Sequence, residues 1–304
     1  NFYLNLSKYL NKNFYSFNTL LAENFFNIGN YEEAEKIYHE IGNKGEAFFW
    51  YAAKQKAKIL IQEDKEKKGL KILESIKPIL NDKKITYDLI KTEYSGHAIK
   101  ITSELDVEKY NALIIVGGDG TFHEVVSGLM IREDQKKIPI GIIPGGSGNS
   151  FLYNLYQNPK TALKEILKFK KRYIDVIEVK TKQERLYSIN LVGWGLITDV
   201  GKNAEKYRWL GTSRYTLVSL IEIIKNKTRK AKLIINKKEH NSAFTFIIAC
   251  NTKHVGKGMY MAPKANVGDG LLDLVVVKGN LSRILLFKTL PKLFKGTHIS
   301  DPNV

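Results

Sequence analysis

The chain has 304 residues, a formal net charge of +17, and 43% hydrophobic and 11% aromatic residues. This length allows two or three domains with cores of their own, and this composition excludes wholesale disorder. The single Cys250 excludes a disulfide framework, and the 6 histidines show no zinc-ligand spacing, so a metal would have to be a hard ion held by carboxylates and phosphates.

The excess of basic residues predicts an anionic partner or substrate, and Lys/Arg clusters lie at residues 168–172 and 225–232. Simple solvation of helix faces by lysine explains these clusters equally well. No run reaches the roughly 18 apolar residues of a membrane span, and the first residues lack a signal-peptide pattern. The basic clusters could meet ATP, acidic lipid or nucleic acid, and on an anionic membrane they would give a cytoplasmic protein peripheral contact. The first residue is Asn1 rather than Met, which suggests a fragment or a processed chain.

Residues 1–64 are predicted to be helical, because they contain no strand-like run. Residues 25–38 have the pattern of a helix, a tight turn and a second helix, with a G-x-Y-x-x-A spacing that begins at Gly29. This pattern resembles one tetratricopeptide repeat, and residues 47–79 are a candidate for a second, degenerate copy. An ordinary amphipathic helical hairpin is the alternative. A repeat would provide a surface for a protein partner.

Residues 65–173 are predicted to form an α/β domain. Its first helix is expected at residues 69–80, ended by Pro78 and the Asn-Asp pair that follows. A strand is expected next, at residues 85–90.

A strand followed at once by a glycine turn and a helix forms the centre of this domain. Residues 113–116 are continuously apolar, which is typical of a parallel strand buried on both faces. They run into Gly-Gly-Asp-Gly-Thr at residues 117–121, and apolar residues recur at helical spacing over residues 122–130. Asp119 is therefore expected where a strand meets a helix. Open α/β sheets bind ligands there, and glycine lets the backbone approach a phosphate closely.

A second corner follows on the next predicted strand. Residues 138–143 are apolar, residues 144–150 read Pro-Gly-Gly-Ser-Gly-Asn-Ser, and a further helical stretch is expected from Phe151. Two such corners on neighbouring strands would hold the phosphates of a nucleotide between them.

Residues 174–304 change character and are predicted to be rich in antiparallel strands. Alternating or apolar runs mark the expected strands at residues 173–179, 186–191, 232–235 and 243–249. Cys250 ends the last run, where a small buried side chain is expected.

The two turns together resemble those of the diacylglycerol and sphingosine kinase family, whose hallmarks are GGDGT and a later P-x-GSGN. NAD kinases share the first turn but differ at the second. Residues 192–200 and 205–214 are similar to a sphingosine and ceramide kinase segment, and residues 284–296 resemble a late helix of the family. The resemblance implies a nucleotide-binding α/β domain like that of NAD kinase and diacylglycerol kinase, followed by an antiparallel β-sandwich that holds the lipid tail.

The resemblance also implies roles for individual residues. Asp119 would be the general base on a lipid hydroxyl, whereas a helix cap is the alternative that its position permits. The cofactors would be ATP and Mg²⁺, with few protein ligands for the metal and Asp199 as a weak candidate for its support. In the lipid kinases the loop after the strand at residues 85–90 resembles Thr-x-x-x-x-His-Ala, and Thr92 fits this pattern; helix capping by Ser95 is the alternative. For Arg208 and Arg214, a surface salt bridge is the alternative. The nucleotide would be bound by Gly117, Gly118, Gly120, Thr121, Thr92, Gly146, Ser147, Gly148, Asn149, Arg208 and Arg214.

The substrate-binding candidates are Trp194, Leu196 and Asp199. In sphingosine kinases an Asp two positions after the one that matches Asp199 recognises the lipid amine, and here that position is Gly201. A sphingoid base stays the first expectation because of the P-x-GSGN turn. Ceramide is an alternative because of Lys202 and the segment from residue 208 to 211, and diacylglycerol is another.

Two departures from the family pattern support a different function. The family has a strand that ends in Asn-Pro and a glycine phosphate loop before the first helix, whereas residues 61–67 contain three acids and no glycine. A final Asp-Gly-Glu turn of the family would also lie beyond Val304. The alternative is therefore a non-catalytic lipid-binding or scaffold protein on the same fold. Nucleic-acid binding has no motif to support it.

Overall fold

A computed structural model places most of the chain in two compact units, residues 1–101 and 102–304. The residues that it describes are 15–43, 46–146, 149–152, 158–204, 206–207, 213–225, 227–255, 258–279 and 281–300.

The first unit begins with a helical hairpin. Helix α1 (Tyr15–Asn27) and helix α2 (Tyr31–Gly42) are joined by a turn in which Gly29 has a φ of +77°, a left-handed conformation that suits glycine. Asn30 caps α2, because its side chain accepts the Glu33 N–H. The predicted helix, turn and helix are confirmed. The core of the hairpin consists of Leu21, Ala22, Ala34, Ile37, Tyr38, Ile41 and Ala52.

Helix α3 (Glu46–Asp82) runs unbroken for 37 residues and includes Pro78. The prediction of a second repeat copy at residues 47–79 is therefore wrong, since a helical hairpin needs a turn. The helix predicted at residues 69–80 is the last part of α3, and Pro78 does not end it. The helix also continues through the domain boundary expected after residue 64, and the predicted boundaries stay a prediction.

The strand predicted at residues 85–90 is wrong. These residues are irregular, and the side chains of Tyr87, Leu89 and Ile90 are 43%, 62% and 50% exposed. Apolar residues form a strand only where a neighbouring strand and a core are available to them. Helix α4 (His97–Glu104) follows.

The second unit contains the predicted parallel strands. Strand β1 (Leu113–Gly117) pairs with β2 (Ile140–Pro144), and Gly117 lies opposite Pro144. Both strands therefore end at the same level. Helix α5 (Asp119–Met130) follows β1 and buries an apolar stripe, as expected from its spacing. Helix α6 (Pro159–Ile166) covers β2, where Ile166 packs against Gly141.

The other strands of this unit are antiparallel, as predicted. The central strand of the main sheet is β7 (Lys238–Cys250), which pairs with β5 (Leu191–Gly195), β6 (Arg229–Ile235) and β10 (Asp273–Lys278). Strands β3 (Ile177–Lys180) and β4 (Arg185–Ser188) form a hairpin, and so do the short β8 (His254–Val255) and β9 (Met259–Tyr260).

Three helices accompany the main sheet: α7 (Leu196–Ala204), α8 (Ser213–Lys225) and α9 (Arg283–Lys295). Their apolar side chains share one core with β10, made of Leu196, Val200, Ala204, Val218, Ile223, Val277, Leu281 and Leu286. Within the described ranges, no helix is both long and apolar enough to cross a bilayer.

Cys250 is fully buried in a second core of this unit, as expected. Burial, with a smaller contribution from the charge of Asp273, raises the pKa of its thiol to about 12. The thiol is therefore an inert packing group at neutral pH.

Candidate active site

The two glycine turns touch each other at the carboxyl ends of β1 and β2. The carbonyl of Gly117 accepts the N–H groups of Gly145 at 2.8 Å and Gly146 at 3.2 Å. A Cβ on Gly146 would lie 2.5 Å from the Cα of Gly118, and a Cβ on Gly118 would lie 2.9 Å from the Cα of Gly146. Only glycine fits at either position, because the two backbones pack directly on one another.

The carboxylate of Asp119 bridges from the first turn to the second. Its Oδ2 accepts the N–H of Ser150 at 2.7 Å, and its Oδ1 accepts the N–H of Phe151 at 3.0 Å. The residue at the N-cap of α5 is Gly118, and no side chain there makes a capping hydrogen bond. The alternative in which Asp119 caps its own helix is therefore wrong. The acid is held by the backbone of the second turn.

Ser150 and Phe151 are the residues that sequence reasoning missed at this site. They act through backbone N–H groups, which carry no residue-type signal. The ring of Phe151 packs edge-on against the ring of Phe122 in α5, with 4.8 Å between the centroids. This contact fixes the backbone that donates to Asp119.

Asn149 places an unsatisfied acceptor beside the same turn. Its backbone is left-handed, with a φ of +49°, and its Nδ2 donates to the carbonyl of Gly146 at 3.0 Å. Its Oδ1 is buried and has no hydrogen-bond partner among the described residues. A buried amide oxygen without a donor costs free energy, so a ligand that supplies a donor here would be stabilised.

Gly117 and Gly120 differ in how tightly they are surrounded. A Cβ on Gly117 would lie 2.9 Å from the Oγ1 of Thr121. A Cβ on Gly120 would meet no atom within 4 Å. The protein itself therefore requires glycine at Gly118 and Gly146 but leaves space at Gly120.

The substrate-binding candidates lie on β5 and α7. Asp199 is half-buried and both of its oxygens accept from Nη2 of Arg229, at 3.0 and 2.7 Å. Trp194 lies opposite Ile247 in the sheet and is 38% exposed, whereas Leu196 is buried in the shared core. Arg229 was not foreseen, because nothing in its sequence context distinguishes it from the neighbouring lysines.

Two domain families match this chain. Residues 57–179 match the model of the diacylglycerol kinase catalytic domain, and residues 190–304 match that of the YegS C-terminal NAD kinase beta sandwich-like domain. The chain carries a diacylglycerol kinase catalytic domain followed by a YegS C-terminal domain. The predicted fold class, an α/β nucleotide-binding domain before an antiparallel β-sandwich, is confirmed.

The curated relatives of this chain include sphingosine kinases. It is 28% identical over 278 residues to sphingosine kinase 1 of Arabidopsis thaliana, covering 75% of this chain and 57% of the relative. It is 28% identical over 264 residues to sphingoid long chain base kinase 4 of Schizosaccharomyces pombe, covering 72% of this chain and 58% of the relative. It is 25% identical to human sphingosine kinase 1, covering 76% of this chain and 74% of the relative. The chain thus spans little more than half the length of the first two relatives.

A solved structure has the same fold. The crystal structure of a diacylglycerol kinase from Bacillus anthracis aligns with a TM-score of 0.51 and 26% sequence identity, covering 71% of this chain and 67% of that one.

Several predicted nucleotide-binding residues, from both predicted domains, have no described place at this site. Ser147, Gly148 and Arg208 lie outside the described residues, and Arg214 is described only as part of helix α8. Thr92 is exposed in the loop before α4, in the first unit. In that loop the Nδ1 of His97 accepts the Glu93 N–H at 3.1 Å. The residues that the structure does bring together are Asp119, Gly117, Gly118, Gly120, Thr121, Gly146 and Asn149.

The predicted Mg²⁺ ion would have few protein ligands. Over the described part of the chain, no three Asp, Glu, His or Cys side chains converge as a metal-binding group.

Proposed function

We propose that this chain is an ATP-dependent lipid kinase that phosphorylates a primary hydroxyl group of a sphingoid base at a membrane surface. The observation that carries the proposal is the carboxylate of Asp119, held by the Ser150 and Phe151 amides where the two glycine turns touch. The matching domain and the names of the relatives support the same activity.

Asp119 would act as the general base on the lipid hydroxyl. Each of its oxygens accepts one backbone N–H, and each oxygen keeps a further lone pair for the substrate. The two amides fix the orientation of the carboxylate before substrate binds. Such positioning, together with charge stabilisation, supplies most of the rate enhancement in phosphoryl transfer.

The glycine turns would hold the nucleotide. Gly118 and Gly146 keep the two backbones in contact, and the buried Oδ1 of Asn149 would accept a donor such as a ribose hydroxyl, the adenine amino group or metal-bound water. ATP, when bound with Mg²⁺, supplies the phosphoryl group and the charge neutralisation that its transfer needs.

The proposed lipid is a sphingoid base, with ceramide and diacylglycerol as alternatives. Sphingosine and sphingoid base kinases among the relatives favour the first. Gly201 favours the neutral alternatives, because it provides no counter-ion for an amine. The substrate would be bound near Asp199 and Trp194. A protein partner at the α1–α2 hairpin stays a prediction.

A specific observation favours a second candidate, a non-catalytic lipid-binding scaffold. The family resemblance places a glycine phosphate loop before the first helix, whereas residues 61–67 lie inside helix α3. A helix interior offers no free backbone N–H groups to a phosphate. Weak ATP binding would follow.

The test is phosphate transfer from labelled ATP with Mg²⁺ to vesicles that contain sphingosine, ceramide or diacylglycerol. We expect turnover on one of these lipids and a loss of about 10²- to 10⁴-fold for Asp119→Asn. Asn retains the shape but presents an NH₂ group to one backbone N–H, so the melting temperature and ATP affinity of the variant must be measured in parallel.

The outcomes separate the two candidates. Turnover that survives in Asp119→Asn would rule out Asp119 as the general base. A parent protein that is inactive on all three lipids, yet binds their vesicles, would support the scaffold.

A further inference from the structure

The hairpin of β6 and β7 extends beyond the main sheet. Strand β6 pairs with residues 238–244 of β7, whereas β10 pairs with β7 from Phe244 and β5 from Phe246. Residues 230–243 therefore form a two-stranded ribbon, hereafter the basic arm. Its turn contains Asn236 and Lys237, both with left-handed backbones at φ values of +50° and +69°.

The basic arm carries a strong positive charge on exposed side chains. Its cationic residues are Lys230, Lys232, Lys237 and Lys238, all exposed, and its acid is Glu239. Lys232 pairs with Glu239 at 2.5 Å, between side chains that are each about half exposed. Such an exposed pair is weak and separates readily in favour of another anion.

One face of the basic arm combines two lysines and Glu239, which lies opposite Ile234, with this exposed apolar residue. Alternate residues of a strand share a face, so Lys230, Lys232 and Ile234 point to the same side of β6. Ile234 is 57% exposed. An apolar side chain next to lysine suits the boundary between lipid headgroups and acyl chains.

A shallow groove lies on the basic arm, with a volume of about 480 Å³. It is lined by Lys230, Ala231, Asn241, Ser242 and Ala243. The Lys230 ammonium and the Asn241 amide are hydrogen-bond donors, as a phosphate oxygen requires.

We propose that the basic arm docks the protein on a bilayer that contains anionic lipid. This deepens the proposed function, since a kinase that acts on a lipid in a membrane must approach that membrane. The charge of the arm complements an anionic surface, and Ile234 adds apolar contact.

Nucleic acid is the less suitable partner. Residues 230–243 contain no Phe, Tyr or Trp on which a base would stack, and the ring of His240 is their single aromatic side chain. They also contain no arginine, and Arg229 at the base of the arm is held by Asp199. Forked contacts with backbone phosphates would depend on arginine.

The first experiment is co-sedimentation of the full chain with phosphatidylcholine vesicles, with and without phosphatidylserine, in the absence of ATP and substrate lipid. We expect Lys230→Gln/Lys232→Gln to weaken binding to anionic vesicles by roughly 10- to 30-fold at low salt. The matched control is Lys180→Gln/Lys182→Gln, which removes two exposed lysines from the β3–β4 hairpin. In each pair one lysine has an acidic partner, Glu239 for Lys232 and Glu178 for Lys180.

The second experiment tests the apolar contact. A polarity-sensitive dye on Ile234→Cys should shift to the blue with anionic vesicles, whereas the same dye on Leu186→Cys should not. Leu186 is also exposed, at 46%, on the β3–β4 hairpin, and the native Cys250 is fully buried and will not compete for the dye.

Lys230→Arg/Lys232→Arg should bind anionic vesicles as the parent does, because arginine keeps the positive charge that glutamine removes. Equal losses of vesicle binding in Lys230→Gln/Lys232→Gln and in Lys180→Gln/Lys182→Gln would overturn the proposal. The proposal would also be overturned if Lys230→Gln/Lys232→Gln lost affinity for duplex DNA but kept its vesicle binding. Activity on detergent-solubilised lipid should be the same in the arm variant and the parent. A parent that binds vesicles through the arm but transfers no phosphate would disprove the kinase function while leaving the docking surface intact.

Discussion

Arg229 at the start of β6 holds both carboxylate oxygens of Asp199 in α7, at 3.0 and 2.7 Å. The residue just before the basic arm thus also fixes the helix that carries a proposed substrate-binding acid. The two side chains are 36% and 26% exposed, so the pair is only partly shielded from water.

Replacing this arginine should affect both stability and substrate binding. We expect Arg229→Gln to cost about 1 kcal/mol of stability, because Asp199 loses its charged partner in a half-buried position. The KM for the lipid should rise more than kcat falls. Arg185→Gln is the control, since Arg185 pairs with Glu178 at a more exposed position. A KM unchanged in Arg229→Gln would remove Asp199 from the substrate site.

The contact between Gly118 and Gly146 predicts a large difference between two glycine substitutions. Gly146→Ala should cost about 1–3 kcal/mol and weaken ATP binding, because its Cβ would collide with the backbone of Gly118. Gly120→Ala should melt at or above the temperature of the parent, since its Cβ meets no atom within 4 Å and alanine favours the helix. Thermal unfolding and ATP titration measure both effects. Equal melting temperatures for the two variants would contradict the close packing of the turns.

A carboxylate at position 201 should change the preference among lipids. Gly201 is exposed in α7, and a Cβ there would meet no atom within 4 Å, so Gly201→Asp fits without strain. We expect about fivefold greater preference for sphingosine over ceramide, as an exposed ion pair with the amine would give. Gly201→Asn has the same shape without the charge and should leave the ratio of kcat/KM values unchanged. A ratio that moves equally in both variants would exclude the electrostatic explanation.

Acidic pH should weaken the contact that holds His298, near the end of the second unit, to Met261. His298 follows α9 and is buried, and its Nε2 donates to the Met261 carbonyl at 2.9 Å. Burial lowers the pKa of His298 from its usual 6.5, and the Met261 bond offsets part of this change. The unfolded chain therefore takes up a proton at higher pH than the folded chain does, so stability is full above about pH 6.5 and falls as the pH drops below it.

His298→Gln keeps a donor for the Met261 carbonyl but does not titrate. Its melting temperature should fall less than that of the parent between about pH 7 and about pH 5. The pKa of His254 is also lowered, by burial and by the charge of Lys253, so a smaller dependence will remain. Parallel pH profiles for parent and variant would show that His298 does not contribute.

Local patterns predicted the centre of the kinase domain well. Continuous apolar residues and a following helical period placed β1, β2 and α5 correctly, because these signals depend on neighbours in the chain. The same reasoning was wrong for residues 85–90, whose apolar side chains are exposed. It was also wrong for residues 47–79, where no sequence signal showed that one helix would continue through Pro78.

The sequence alone determined the two glycine turns, the position of Asp119 between a strand and a helix, and the family to which these motifs point. Glycine, apolar runs and an acid are recognisable from residue type and spacing. Only the tertiary structure decided that Ser150 and Phe151 hold Asp119, that Arg229 holds Asp199, and that Gly146 lacks the space that Gly120 has. These contacts join residues about 30 positions apart or more, and they depend on which backbones the packed strands and helices bring together.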